Sequence, residues 1–86
     1  SYPLSTDWTT QEMVDVVQFF EAVEAAYEKG IKRGVLMAKY RRFKEMVPSQ
    51  AEEKTILRQF EQASGYVGYK AVKMARESAD GQIIRL

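Results

Sequence analysis

DWTTQEMVDVVQFFEAVEAAYEKG, residues 7–30, carries the start, the body and the stop of one helix. Thr9 and Glu12 have the T-x-x-E spacing of a capping box, in which each side chain accepts a bond from the other residue's orphan backbone N–H. Trp8 and Met13 then occupy the two positions of a hydrophobic staple. Met13, Val16, Val17, Phe20, Val23 and Tyr27 recur at helical spacing and form one apolar stripe. Gly30 stands where a left-handed cap belongs, and Ile31 can cover the end. These signals predict a helix over about 10–29. Phe19 falls beside the stripe and Val14 further from it, so both are apolar residues without an assigned place in the core.

The following segments read as three more helices. Leu36, Tyr40, Phe43 and Val47 make the stripe of a helix over about 33–47. Its start is poorly marked, because no Ser, Thr, Asp or Asn precedes Gly34. Its end is marked by Pro48, which disfavours helical geometry at Val47. Ser49 and Glu52 repeat the capping-box spacing and open a helix over about 50–64, with Ile56, Leu57, Phe60 and Ala63 as its apolar side and Gly65 as its stop. A last helix is predicted over about 66–79, with Val67, Ala71, Val72 and Ala75 turned inward and Met74 a further candidate. Gly68 inside it costs about 1 kcal/mol relative to Ala, which points to another backbone passing close by. Asp80-Gly81 is a turn signal, and the tail QIIRL can dock on the core, add to a partner or stay loose. Short connections make the helices neighbours. The expected fold is all-α: a small four-helix bundle or irregular helical array in a single domain.

Composition removes most chemistry. The chain has 86 residues, with no cysteine and no histidine. Disulfides, thiolate sites, Cys nucleophiles, a His-based triad and a zinc site are therefore excluded within one chain. The longest apolar run is VLMA (35–38), far below the ~20 residues of a membrane span. SYPLSTDW lacks the basic flank and apolar stretch of a signal peptide, so the expected compartment is the cytoplasm.

Charge is sorted along the chain. Residues 1–28 hold six acids and no base, residues 29–44 hold seven bases and no acid, and the net charge is only +1. The simplest reading is an antiparallel pair of helices, one acidic and one basic, whose flanks attract. The alternative is a nucleic-acid face made of Lys39, Arg41 and Arg42 with Lys70, Lys73 and Arg76, interleaved with Tyr40 and Phe43. Near-neutrality of the whole chain, and the inward placement of those aromatics, weigh against it.

Other candidates have plainer explanations. Glu21, Glu24 and Glu28 share a helix face, but a di-iron arrangement needs Glu-x-x-His, so a solvated or salt-bridged face is expected. Glu52-Glu53 complements a helix start, and adjacent helical carboxylates diverge by about 100°. Tyr66 and Tyr69 fit core packing or helix-end coverage better than an aromatic patch. Gly30–Gly34 lacks the spacing of a phosphate loop. No catalytic residue, metal or cofactor is expected.

DWTTQEM (7–13), FFEAVEAAYEKG (19–30), YRRFKEMVPSQAEEK (40–54) and SGYVGYK (64–70) together resemble UPF0223, an uncharacterised protein family of YktA-like proteins from Bacillus and related Gram-positive bacteria. The similarity covers about residues 2–77. The chain departs from it at IKRGVL (31–36), where family members carry Lys-Lys-Glu-Glu. The resemblance implies a small all-helical cytosolic protein and brings no activity, cofactor or catalytic residue. Matched residues such as Trp8, Phe19, Phe20, Tyr27, Tyr40, Phe43 and Pro48 mostly fit structural roles.

The expected function is that of a helical interaction module, binding another protein or itself. Surplus apolar residues motivate it: Val14 and Phe19 off the stripe, and Ile83 and Ile84 in the tail. Nucleic-acid binding through helices 2 and 4 is the alternative. An enzyme working with carboxylates and tyrosine is disfavoured by the thin acid–base inventory.

Overall fold

Four helices form in the computed structural model, which describes residues 2–86. They are α1 (Thr10–Glu28), α2 (Arg33–Met46), α3 (Gln50–Ser64) and α4 (Gly68–Arg76). Two short strands, β1 (Ile31–Lys32) and β2 (Ile83–Ile84), pair antiparallel, with Ile31 opposite Ile84 and Lys32 opposite Ile83. The chain is all-α but for this ribbon.

The local signals of α1 act as their chemistry requires. The Thr9 hydroxyl accepts from Glu12 N–H at 3.1 Å, and the Glu12 carboxylate accepts from Thr9 N–H at 2.8 Å. At the other end the N–H groups of Lys29 and Gly30 both donate to Ala25 O, and Gly30 turns at φ +90°. A Cβ on Gly30 would stand 3.0 Å from Ile83 Cγ2 and 3.1 Å from the Arg85 guanidinium. Gly30→Ala is therefore expected to cost ~1–3 kcal/mol in urea denaturation, since both backbone strain and crowding oppose it. Gly34→Ala meets nothing within 4 Å inside α2 and is expected to stabilise by ~0.5 kcal/mol.

The weak start of α2 has a tertiary explanation. Lys32 makes no side-chain cap, and the Arg33 N–H donates instead to Gln82 O at 2.8 Å. The C-terminal tail thus supplies the acceptor that the local sequence lacks. Pro48 ends α2, the Ser49 hydroxyl accepts from Glu52 N–H, and Gly65 closes α3 at φ +82°.

Helix α4 is shorter at both ends than its sequence predicts. At the start, the rings of Tyr27 and Tyr66 stack with centroids 4.6 Å apart. The Tyr27 hydroxyl accepts from Val67 N–H and donates to Val67 O. Those contacts hold residues 66 and 67 outside the helix. At the end, Arg33 Nε donates to Ala75 O at 2.6 Å, and its Nη1 pairs with Asp80 at 3.0 Å. Arg33 thereby terminates α4 as a side-chain cap and ties its end to the start of α2. Met74 is exposed rather than inward. The close neighbour of Gly68 is a side chain, not a backbone: a Cβ there would lie 2.9 Å from Leu57 Cδ2.

Two candidate contact residues of the sequence prove to be core. Phe19 has 0% exposure. It stacks on Phe43 at 4.7 Å and meets Tyr40 at 5.5 Å, while its neighbour Phe20 stacks on Phe60 at 4.6 Å and on Tyr2 at 5.5 Å. Helix α1 is central, covered by α2 along the Phe19 row and by α3 and Tyr2 along the Phe20 row, so one apolar stripe understates its buried width. Ile84 is likewise fully buried. Its pairing with Ile31, and the Leu86 N–H donating to Ala26 O at 2.9 Å, dock the tail on α1. Val14 and Ile83 do stay outside, 43% and 46% exposed.

The acidic–basic pairing of α1 and α2 is partial. Asp15 accepts from Arg42 Nε at 2.8 Å and Gln18 from Lys39 Nζ at 2.9 Å, an antiparallel register. Arg42 holds the Asp15 carboxyl below its usual range. Further along, the acids of α1 meet phenols instead: Tyr2 donates to both Glu24 oxygens, and Tyr66 donates to Glu28 at 2.6 Å.

Candidate interaction groove

Helices α3 and α4 form a hairpin across residues 65–67, and beside it lies a groove of about 560 Å³ whose lining also includes Tyr40 of α2. Gly68 lets α4 approach Leu57, and α4 turns only small residues and Val72 inward, so little side-chain bulk fills the space between the helices. Leu57 and Val67 make a half-buried apolar floor. Tyr69 stands at its edge with 57% exposure, the highest among the exposed large apolar residues described.

The Tyr40 end of the groove is a fixed polar network. The Tyr40 hydroxyl donates to Glu53 Oε2 at 2.7 Å, and Lys44 Nζ donates to Glu53 Oε1 at 2.7 Å. Both carboxylate oxygens are therefore engaged. The Arg76 guanidinium lies 5.4 Å from the centre of the Tyr40 ring, a cation–π contact, and its Nη2 is 3.4 Å from the Tyr40 hydroxyl. Among the described residues, no carboxylate pairs with Arg76, nor with Lys54 and Arg58 on the α3 wall.

Burial first, and the Glu53 hydrogen bond second, push the Tyr40 phenol up to about 12; burial and Glu24 do the same for Tyr2. Tyr66 is raised as well, by its bond to Glu28. A phenol whose pKa is higher folded than unfolded contributes stability that is intact below pH 10 and lost as pH rises through about 12. Alkaline titration is thus expected to show a late phenolate phase near 12 and a melting temperature that declines from pH 10 upward. Tyr2→Phe with Tyr40→Phe should remove that phase. Ionisation of Tyr2 and Tyr40 near 10 would contradict the buried hydrogen bonds.

The other sequence candidates are scattered. Lys39 and Arg42 turn to α1, where Gln18 and Asp15 take their donors, and Arg42 also donates to Glu45 on its own helix. Arg76 turns to the groove, and Arg41, Lys70 and Lys73 are exposed. The six do not make one uninterrupted cationic track. Val14 lies with Met13 and Val17 in a separate shallow depression on α1, and Ile83 lies beside Gly30. Among the described residues no group of three or more acids gathers in metal-binding geometry; Glu24 and Glu28 are engaged by phenols and Glu21 is exposed. Leu57, Arg58 and Lys54 of the groove are not singled out as a site by sequence, and Tyr69, expected there in core packing or helix-end coverage, is instead exposed. The available signal was Gly68 beside Tyr69, a small residue opening one helix onto its neighbour.

No helix among the described residues is long and apolar enough to cross a membrane. Comparison with known proteins gives a consistent lineage. A UPF0223 protein of Lysinibacillus sphaericus is 71% identical over 86 residues, covering 100% of this chain and 90% of the relative. A UPF0223 protein of Bacillus pumilus is 55% identical over 85 residues, with 99% and 96% covered. The UPF0223 protein YktA of Bacillus subtilis is 55% identical over 82 residues, with 95% and 93% covered. The profile of the uncharacterised protein family UPF0223 matches residues 1–84, and the chain belongs to that family.

Proposed function

We propose that this chain is a non-catalytic helical interaction module of the cytoplasm that receives a segment of another protein in the α3–α4 groove. The observation that carries this reading is Tyr69, more than half exposed above a floor of Leu57 and Val67 and flanked by unpaired cations. An exposed aromatic beside an apolar depression with a charged rim is the anatomy of a protein-contact surface. The groove is poorly equipped for acid–base chemistry: Tyr40 is held protonated, and Glu53 is engaged by Lys44 and Tyr40.

Nucleic-acid binding is supported by the exposed Lys70 and Lys73 that follow Tyr69 on α4 and by Lys54, Arg58 and Arg76 in the groove lining. Against it, the cations do not form one continuous track, since Lys39 and Arg42 are bonded to Gln18 and Asp15, and the groove floor of Leu57 and Val67 is apolar.

Immobilised wild-type protein is to be compared with Tyr69→Ala, Val14→Ala and Ile83→Ala for retention of cytosolic components, with and without RNase. The expected result is a discrete protein retained by wild type, Val14→Ala and Ile83→Ala and lost from Tyr69→Ala. Retention that depends on Val14 or Ile83 and ignores Tyr69 would place the contact elsewhere, and RNase-sensitive retention would replace the reading with the nucleic-acid one.

A further inference from the structure

We infer that the segment received in the groove is acidic and apolar together, with a carboxylate seated on the guanidinium of Arg76. This rests on the groove reading above and adds the chemistry of the partner. Arg76 is a cation held in place without an anion. The Tyr40 ring lies beneath it at 5.4 Å, and the Tyr40 hydroxyl, whose proton is committed to Glu53, offers its Nη2 a lone pair at 3.4 Å. The nearest acid of that network, Glu53, has its oxygens taken by Tyr40 and by Lys44, each at 2.7 Å, so it does not compete for the guanidinium. A planar guanidinium already oriented by an aromatic ring loses little freedom on binding and presents a fork that suits a carboxylate.

Lys54 and Arg58 on the α3 wall add positive potential to the same groove, while Glu61 is the one groove acid without an intramolecular partner among the described residues. Leu57, Val67 and the Tyr69 ring offer apolar contact along the groove. A ligand that matches these walls joins an aliphatic or aromatic side chain to an Asp or Glu. A polyphosphate does not match, because Lys39 and Arg42, which would extend the cationic track, are bonded to Gln18 and Asp15. A second copy offers less: on α1, Asp15 is paired with Arg42, Glu24 and Glu28 are engaged by Tyr2 and Tyr66, and the exposed Glu21 is left as the acid beside the Val14 depression.

The test is selection of a random peptide library against the full chain, with binders that also bind Tyr69→Ala discarded. Enriched peptides are expected to pair an acidic with an aliphatic or aromatic residue. For the best of them, Arg76→Gln should weaken binding by ~10–100-fold, as should replacing the peptide's Asp or Glu by its amide. Combining the two changes should add little to either, the sign of a direct pair. Arg76→Lys, which keeps the charge and loses the fork, should fall between. The far-UV spectrum and melting temperature of each variant separate loss of binding from loss of fold. Tyr69-dependent peptides without an acidic preference, or equal binding of acid and amide peptides, would overturn the inference and leave the groove reading standing. No Tyr69-dependent enrichment would defeat both. Binding of an oligouridine probe that Tyr69→Ala abolishes, or Tyr69-dependent self-association in sedimentation, would assign the groove to nucleic acid or to a second copy instead.

Discussion

Phe19→Ala is expected to lose about 3–5 kcal/mol of unfolding free energy, the range for truncating a buried Phe. Phe19 has no exposed surface and sits where α1 meets α2, touching Phe20, Tyr40 and Phe43. Its removal leaves a cavity between three rings that cannot close without moving helix axes, and it also loosens Tyr40, whose hydroxyl leads to Glu53 and Arg76. A domain of this size has modest stability to lose, so the variant should be largely unfolded at 37 °C or nearly so. Val14→Ala, five residues away on the same helix and 43% exposed, should change stability by no more than ~0.5 kcal/mol. Urea denaturation followed by circular dichroism measures both. Similar midpoints for the two variants would contradict a core centred on the Phe19 row.

Deleting residues 82–86 is expected to cost several kcal/mol, on the scale of a lost core isoleucine plus two structural hydrogen bonds (~3–5 kcal/mol). Ile84 is fully buried, Gln82 O accepts the first free N–H of α2, and Leu86 N–H donates to Ala26 O. The tail therefore closes three things at once: the end of α1, the start of α2 and the edge of β1. Hydrogen exchange gives a residue-level readout, since the Arg33 amide should be protected in the full chain and exchange rapidly in the shortened one. A truncated protein with unchanged midpoint and a still-protected Arg33 amide would mean that the tail is decorative.

Local signals made much of the fold legible. The capping box at Thr9, the glycine stops at 30 and 65 and the Pro48 boundary are written in neighbouring residues, because each depends on backbone groups within one turn. The β ribbon has no such signature: Ile31-Lys32 and Ile83-Ile84 are too short to show a period and meet across some fifty residues of chain. The shortness of α4 at both ends is hidden for the same reason, since Tyr27 at its start and Arg33 at its end, both distant in sequence, take its terminal groups. Phe19 was misplaced because a single stripe was assumed for a helix that packs on two sides. The groove was the least legible part. Its apolar floor and Arg76 belong to different segments, and only the tertiary structure shows that Glu53 is already paired with Lys44 while Arg76 has no carboxylate partner.

We propose the α3–α4 groove, and not the exposed residues of α1 or the tail, as the surface other proteins meet. Its most direct test is photo-crosslinking in cytosol with p-benzoylphenylalanine in place of Tyr69, compared with the same group in place of Val14 and Ile83. The expected result is a discrete adduct to a second protein from position 69 and none from positions 14 and 83. An adduct from position 14 or 83 with none from 69, or adducts only between copies of this chain, would contradict the claim.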